Sequence, residues 1–504
     1  MNRARSSIVS SDQQRHRAVP GWTTLALLAL VAVTAMVPGC TESEDPVAPD
    51  VESDREILTG EIQEMVEDLM SLTAAARGLS FVRPVYATIL TDDEYSAQMD
   101  EDEGWQEFAL YADDFLSMLT RMGYSLRDYP ISDFAALMQD FYAGFPYAFY
   151  ATGTDTMTIL CETDACTAIR EDMQTPGFTA TICHELTHAL QDQHFGLQTQ
   201  PGATETTDRA DGWRSLVEGD ASLTEDLCME LQGYVRQQGV AAVQYCRSMA
   251  DTFYSYVDSI DLGYPDFMEI PAFAPYYLGT SWIARRYGQG GWSQVDVLFD
   301  QLPLSLLQTM SYDTFTTTTI SLTRFEQFVN KYDFWSEDVC GPLDVSVIFD
   351  QFDSTGTSSD NIRRRYGYRG DHMLYWYEPG ATEGTLLWAF AFADSLAAKG
   401  GYALVSRIAS DPDDISLRPT GTGVTSDSLV SLFDDHATFD CGEYHSIVAR
   451  SGSMVWWIEN AGSSRDAIVQ EALVTPLAKL RSVEPVRAHN PVHRFRRRRG
   501  WRGF

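Results

Sequence analysis

The chain has 504 residues, 44% of them hydrophobic, and 72 acidic against 36 basic side chains give it a formal charge of -36. That apolar content excludes disorder and a collagen-like fibre, and the length supports more than one ordinary core, so two folded domains are the default expectation. The acidic balance argues against nucleic acid as a partner.

Basic residues are concentrated at the ends. Arg3, Arg5, Arg15 and Arg17 precede an apolar run at 22–37, while Lys479 and eight arginines crowd the last 26 residues. The apolar run is too short for a comfortable membrane span and ends in Val37, Pro38, Gly39 and Cys40. Residues 1–39 therefore read as an export signal. The segment resembles a bacterial lipoprotein signal, in which a small residue precedes the cysteine that becomes lipidated. Pro38 is unusual in such a box, which keeps secretion with another cleavage point open. Attachment to the membrane through lipidated Cys40, at the periplasmic face or the cell surface, is the resulting expectation. Residues 40–55 are acidic and contain proline, as a solvated tether would.

Helical spacing of Ile62, Met65, Leu69 and Leu72 predicts that a helix over 56–77 opens the folded body. Residues 81–89, rich in Val, Tyr and Phe, read as a strand, followed by helical segments around 92–121 and 131–142. The stretch 147–160 reads as two short strands about a Gly153 turn. Thr175 then supplies an N-cap, Pro176 a first helical residue, and Gly196 a stop, which predicts a helix over 176–195. A second helix, which Asp208 could cap, carries residues 213–221. Residues 336–360 are rich in Asp, Ser, Thr and Gly and read as a linker. Beyond it, 361–478 reads as a small α+β domain, with strand-like runs at 372–377, 385–392 and 446–458 around a helix near 393–408. The basic end, 479–504, lacks periodicity and reads as a disordered tail, or as an arginine arm for anionic lipid or for the chain's own acidic body. The expected fold class is α+β: a mainly helical body at 56–335 with a small α+β domain after it.

Eight cysteines in an exported chain raise the question of disulfides. With Cys40 assigned to lipid, the close pairs are Cys161 with Cys166 and Cys228 with Cys246. Cys340 and Cys441 are then left for each other, and Cys183, inside the 176–195 helix, is the expected free thiol.

The chemistry concentrates on that helix. His184 and His188 are four residues apart, hence neighbours one turn apart on one face, able to aim their nitrogens at a single ion. Glu185, about 100 degrees round the helix, stands beside such an ion rather than on it, where a carboxylate must be to take a proton from water. The pattern is His-Glu-x-x-His, the signature of a zinc site with a glutamate general base. A tetrahedral catalytic zinc needs a third protein ligand. Two candidates compete. His194 has the spacing of the long metzincin motif, but Gln191 stands where that motif has glycine, so an unbroken helix would carry His194 away from the metal face. Glu218, on the following helix, lies far enough along the chain for a loop to return it to the site.

HELTHALQDQHF at 184–195, LVEGDA at 216–221, PYYLGTSW at 275–282 and GGWSQV at 290–295 resemble, in the same order, a family of uncharacterised exported bacterial and archaeal HExxH proteins that look like gluzincin-type zinc metallopeptidases. The resemblance covers roughly residues 60–330 and implies a zincin-like domain there. It also implies His184, His188 and Glu218 as zinc ligands, Glu185 as catalytic base, and Asp220 as a partner orienting an imidazole. Tyr276 or Tyr277 is a candidate for polarising the oxyanion. The chain departs from the family at 304–311, LSLLQTMS, where the relatives carry a more polar segment ending in histidine. The expected function is a zinc-dependent metallopeptidase acting on a peptide or protein substrate; the alternative is a catalytically weak zincin-fold surface lipoprotein that binds rather than cleaves.

Overall fold

The structure, a computed structural model, describes residues 51–460 apart from 111, 125–133, 145–146, 162–165, 200–204, 235–239, 258–262, 311–319, 321–334, 353–366, 378–383, 411–421, 424–432 and 442–443. The export leader, Cys40, the basic tail and most of the tether lie outside the described residues.

Helix α1 (Val51–Arg77) begins inside the stretch expected as tether and buries Leu58, Ile62, Val66 and Leu69. Strand β1 (Tyr86–Thr91) ends on Thr91, which forms a capping box with Glu94 and so starts α2 (Asp92–Glu101). Three short helices follow, α3 (Glu103–Ala109), α4 (Ala112–Met122) and α5 (Phe134–Gly144). The expected hairpin is β2 (Ala148–Ala151) and β3 (Thr156–Cys161), with Gly153 at φ +76 in its turn, a conformation that suits glycine. β3 lies between β1, which is parallel to it, and antiparallel β2, leaving β2 as an edge.

After α6 (Thr167–Asp172) comes α7 (Pro176–Phe195), whose bounds match the predicted helix: Thr175 Oγ1 accepts from the Phe178 N–H, and Gly196 ends it in the left-handed region. Helix α8 (Thr207–Leu231) packs along α7 and is buried on nearly every side. Its cap is Thr206, whose side chain accepts from the Arg209 N–H. Asp208, expected in that role, is two residues further in and instead accepts from the Leu306 N–H at 2.8 Å. Then come α9 (Ala242–Val257), α10 (Asp266–Ala274), one π-helical turn (Pro275–Gly279), α11 (Thr280–Gly290), α12 (Trp292–Asp300) and the short α13 (Leu307–Met310).

The remainder builds a second sheet from β4 (Trp335–Asp338), β5 (Tyr368–Tyr377), β6 (Gly384–Phe392), β7 (Thr422–Gly423), β8 (Asp435–Cys441), β9 (Tyr444–Ser451) and β10 (Met454–Asn460). Its order is β4-β5-β6-β10-β9-β8-β7, antiparallel throughout, with α14 (Gly341–Phe352) and α15 (Ser395–Ser410) beside it. The chain is thus a mixed α+β protein. No helix among the described residues is long and apolar enough to cross a membrane.

The expected linker is not one. Its first part forms β4 and α14, and Leu343, Val345, Ile348 and Phe349 sit in the interior. A single hydrophobic cluster runs from Phe115, Phe134 and Phe267 through Ile348 to Trp388 and Trp457 of the second sheet, so the core crosses the position where a domain boundary was expected. The polar residues that made the stretch look solvated are used inside: Asp338 accepts from the Thr207 N–H and hydroxyl, and Asp344 from the Tyr124 hydroxyl.

The cysteines depart from expectation too. Cys161 and Cys166 are bonded, and Cys183 is a buried thiol. The Cys228–Cys246 bond is not formed, because Cys246 Sγ donates to Asp226 Oδ2 at 3.0 Å while Cys228 lies about 200 degrees round α8 from that residue, facing α7. Cys340 is also a buried thiol, so its pairing with Cys441 is not formed.

Burial keeps several of these acids protonated well above the usual carboxylate range: Asp211 and Asp338 are pushed up to about 7, and Asp208 and Asp344 also rise. Such groups bind protons more tightly folded than unfolded, so their contribution is complete below about pH 4 and is lost as pH rises through about 7. The melting temperature should therefore fall between pH 5 and pH 8, and Asp211→Asn should flatten that slope. An unchanged slope in the variant would contradict the assignment.

Candidate metal centre

Helices α7 and α8 bring four of the predicted residues to one place. His184 and His188 project from α7 with ring centroids 4.8 Å apart and planes at 80 degrees, and Glu218 reaches between them from α8. Glu218 Oε2 lies 3.1 Å from His184 Nε2 and 3.5 Å from His188 Nε2. One ligand atom from each of the three residues lies within 4.8 Å of the others, and all three residues are buried, so the group could hold a metal ion. His194 takes no part: its Nε2 lies 2.7 Å from the Ser80 carbonyl oxygen, at the exposed end of α7.

The outer partners decide which nitrogen is available. His184 Nδ1 faces Glu225 Oε2 at 3.2 Å, and a carboxylate only accepts, so Nδ1 carries the proton. His188 Nδ1 faces Gln191 Oε1 at 2.9 Å, and Gln191 spends its Nε2 hydrogens on Val217 O and Asp220 Oδ2, each at 2.9 Å. The amide oxygen is therefore the acceptor and His188 Nδ1 also the donor. Both Nε2 lone pairs are left to converge on the Glu218 oxygen, the tautomer a metal ligand needs. Asp220, which the resemblance implied as a partner orienting an imidazole, contacts Gln191 and is linked to His188 only through that amide. Gln191 and Glu225 were missed by sequence reasoning; their signal was spacing alone, three residues after His188 and seven after Glu218.

Three acceptors aimed at one point repel unless a positive charge joins them. Burial disfavours charged rings, yet hydrogen bonds to Glu218 and Glu225 and the charge of Glu185 hold the His184 pKa well above its ordinary value; Glu218 and Glu185 likewise raise that of His188. Burial also opposes ionisation of Glu218, but His188 and His184 outweigh it and hold that carboxyl below the usual range. The pocket draws protons in as it would draw in a cation. Glu185 differs: burial raises it, with partial relief from His188 and His184. Its Oε2 accepts from the Tyr150 N–H of edge strand β2 at 2.8 Å.

Behind the ligands, Arg77 at the end of α1 is wholly buried. Its Nε lies 2.7 Å from Asp220 Oδ1, its Nη2 bonds Asp296 at 2.7 Å, and its guanidinium lies 4.3 Å from the Trp292 ring centre. On the other side, the π-helical turn lies against α8 at a contact only glycine permits: a Cβ on Gly219 would meet the Gly279 carbonyl carbon at 2.3 Å. That close approach stacks Tyr276 on His184, with ring centroids 5.9 Å apart, and hydrogen-bonds its hydroxyl to Glu218. Burial and the charges of Glu218 and Glu185 keep the phenol protonated. Tyr277 packs on Phe253 instead. Segment 304–311 offers the centre no polar side chain among its described residues that reaches the ligands; Leu306 and Leu307 are buried.

A small cavity of about 50 Å³ lies one to two turns along α8 from Glu218. Apolar Phe115, Met138, Phe267 and Met268 line it, together with Asp211 and Arg214.

Comparisons with family models, curated proteins and solved structures return no match to the chain.

Replacing Gln191 by Leu should leave the fold intact and weaken metal binding by about 10- to 100-fold, the usual effect of losing a ligand's outer partner. Competition with a coloured chelator measures this. Unaltered affinity would show that the amide does not orient His188.

Proposed function

We propose that the protein is a zinc-dependent metallopeptidase-like hydrolase of the cell envelope, its ion held by His184, His188 and Glu218 in a zincin-like helical unit and its general base Glu185. The observation that carries this reading is the donor set: two imidazole Nε2 atoms and one carboxylate oxygen converge, and a second buried carboxylate stands one residue along the same helix. Two nitrogens and one oxygen suit zinc, which would take a water as its fourth ligand.

Bound there, the ion would supply Lewis acidity to a water and to the scissile carbonyl. Glu185, raised by burial, takes the proton of the attacking water and passes it to the leaving amine. Tyr276, whose protonated hydroxyl donates to Glu218, would serve charge developing on the carbonyl oxygen by turning that hydroxyl away from Glu218 once the ion occupies the carboxylate. Strand β2 is an open edge whose backbone already touches Glu185, so a peptide laid along it as an added strand would bring its carbonyls to the site.

Export and lipid attachment at Cys40 complete the proposal, and the Cys161–Cys166 disulfide is in keeping with an oxidising compartment. A second reading, a surface lipoprotein that binds peptides without turnover, is favoured by the apolar burial of Leu306 and Leu307 where the resembling family carries polar residues.

Purified protein should contain about one zinc per chain. Glu185→Gln should keep that metal and lose at least about 100-fold in cleavage of a peptide library. Glu218→Ala should lose the metal, and His194→Ala should keep both metal and activity. Zinc in wild type without any cleavage would favour the binding role, and wild type without zinc would overturn both readings.

A further inference from the structure

We infer that the cavity beside α8 is a binding site for a small zwitterion, a free α-amino acid with a short side chain, whose carboxylate pairs with Arg214 and whose ammonium group pairs with Asp211. The cavity lies where α4, α5, α8, α10 and α14 meet, and its lining includes none of the proposed metal ligands. Asp211 and Arg214 both line it and stand three residues apart on α8, so their side chains leave neighbouring points of one helix face. Opposite charges so placed ordinarily pair, as Glu205 and Arg209 do at the start of the same helix. Here they do not. Among the described residues, Asp211 and Arg214 form no ion pair with each other, and neither side chain has a hydrogen-bond partner, although the charge of Arg214 acts on Asp211 across the space between them.

Asp211 is only 2% exposed, and a carboxylate buried to that extent without a donor is unfavourable until the occupant of the cavity supplies one. Asp344, the other acid in the lining, already accepts from the Tyr124 hydroxyl. The unmet needs are therefore of opposite sign: an acceptor at Asp211 and a set of donors at Arg214. A lone amine would satisfy the first and leave the second, and a lone carboxylate would do the reverse. An α-amino acid carries both charges on one carbon.

The remaining walls set the size and character of that ligand. Phe115, Met138, Phe267 and Met268 are apolar and suit a methyl group rather than a further charge. At roughly 10–15 Å³ for each water-sized group, about 50 Å³ holds the main-chain atoms of one small amino acid and little more. Pro271, inside α10 and also in the lining, has no N–H for the Phe267 carbonyl, so that acceptor lacks its usual helical donor. Arg214 and Pro271 are partly exposed, which marks the side from which a solute can enter. The inference stands on this cavity and requires neither zinc nor turnover, so it holds or fails independently of the hydrolase reading.

Calorimetric titration of the purified protein tests it. Glycine and L-alanine should each saturate one site per chain, whereas acetate and methylammonium, which carry one charge apiece, should bind at least about 10-fold more weakly. L-Tryptophan, too large for the space, should not bind. Arg214→Met and Asp211→Asn should each weaken L-alanine by at least about 10-fold while still unfolding cooperatively; the wild-type series decides the matter alone if either variant fails to fold. Absence of saturable L-alanine binding, or acetate or methylammonium binding as tightly as L-alanine, would overturn the inference. So would density for water alone in the cavity of crystals soaked in L-alanine.

Discussion

Three hydrogen-bond acceptors with no donor among them cannot remain at contact distance in a buried pocket unless a positive charge joins them. With the rings neutral, the two imidazole Nε2 atoms and the Glu218 oxygen are that trio, the proton on each Nδ1 being fixed by Glu225 and by Gln191. The cost of burying such a group without a cation falls on the whole α7–α8 pair, because both helices are interior along most of their length. A second proton on each ring supplies that charge, which is why the histidines are elevated and the glutamate depressed, and a divalent ion would serve the same electrostatic purpose.

Much of the surrounding architecture holds this trio in place. Arg77 at the end of α1 fixes Asp220, Asp220 fixes the Gln191 amide, and the amide fixes His188. Gly219 and Gly279 let backbone meet backbone, and that contact sets Tyr276 against His184 and Glu218. Pro275 begins the π-helical turn, where a residue without an N–H disrupts the regular ladder and re-aims the tyrosine. The second sheet takes part at a distance: Asp338 from β4 holds the N-terminal Thr207 of α8, and α14 carries the shared core to Trp388 and Trp457.

Local signals carried most of what was legible in the sequence. The α7 helix has a capping threonine, a proline at its first position and a stopping glycine, and each acts within a few residues of itself. The pairing of His184 with His188 follows from helical pitch alone. Glu218 was one of two candidates on spacing; its placement needed the loop between α7 and α8 to return the chain, which no local rule states. Gln191 was read against a motif that has glycine there, and its part in orienting His188 depends on Asp220 arriving from another helix. Residues 341–352 were misread because aspartate and serine suggest solvent, whereas here they satisfy buried groups and the apolar residues between them enter the core. Cysteine pairing failed for the same reason: nearness in sequence favoured Cys228 with Cys246, and helix rotation turned Cys228 towards α7.

Diffraction recorded on either side of the zinc absorption edge, from crystals of wild-type protein grown with the metal, tests the central claim most directly. The account predicts one anomalous peak about 2.0–2.2 Å from His184 Nε2, His188 Nε2 and a Glu218 oxygen. A zinc peak bound elsewhere, or His184 and His188 hydrogen-bonded to Glu218 with no peak between them, would contradict it.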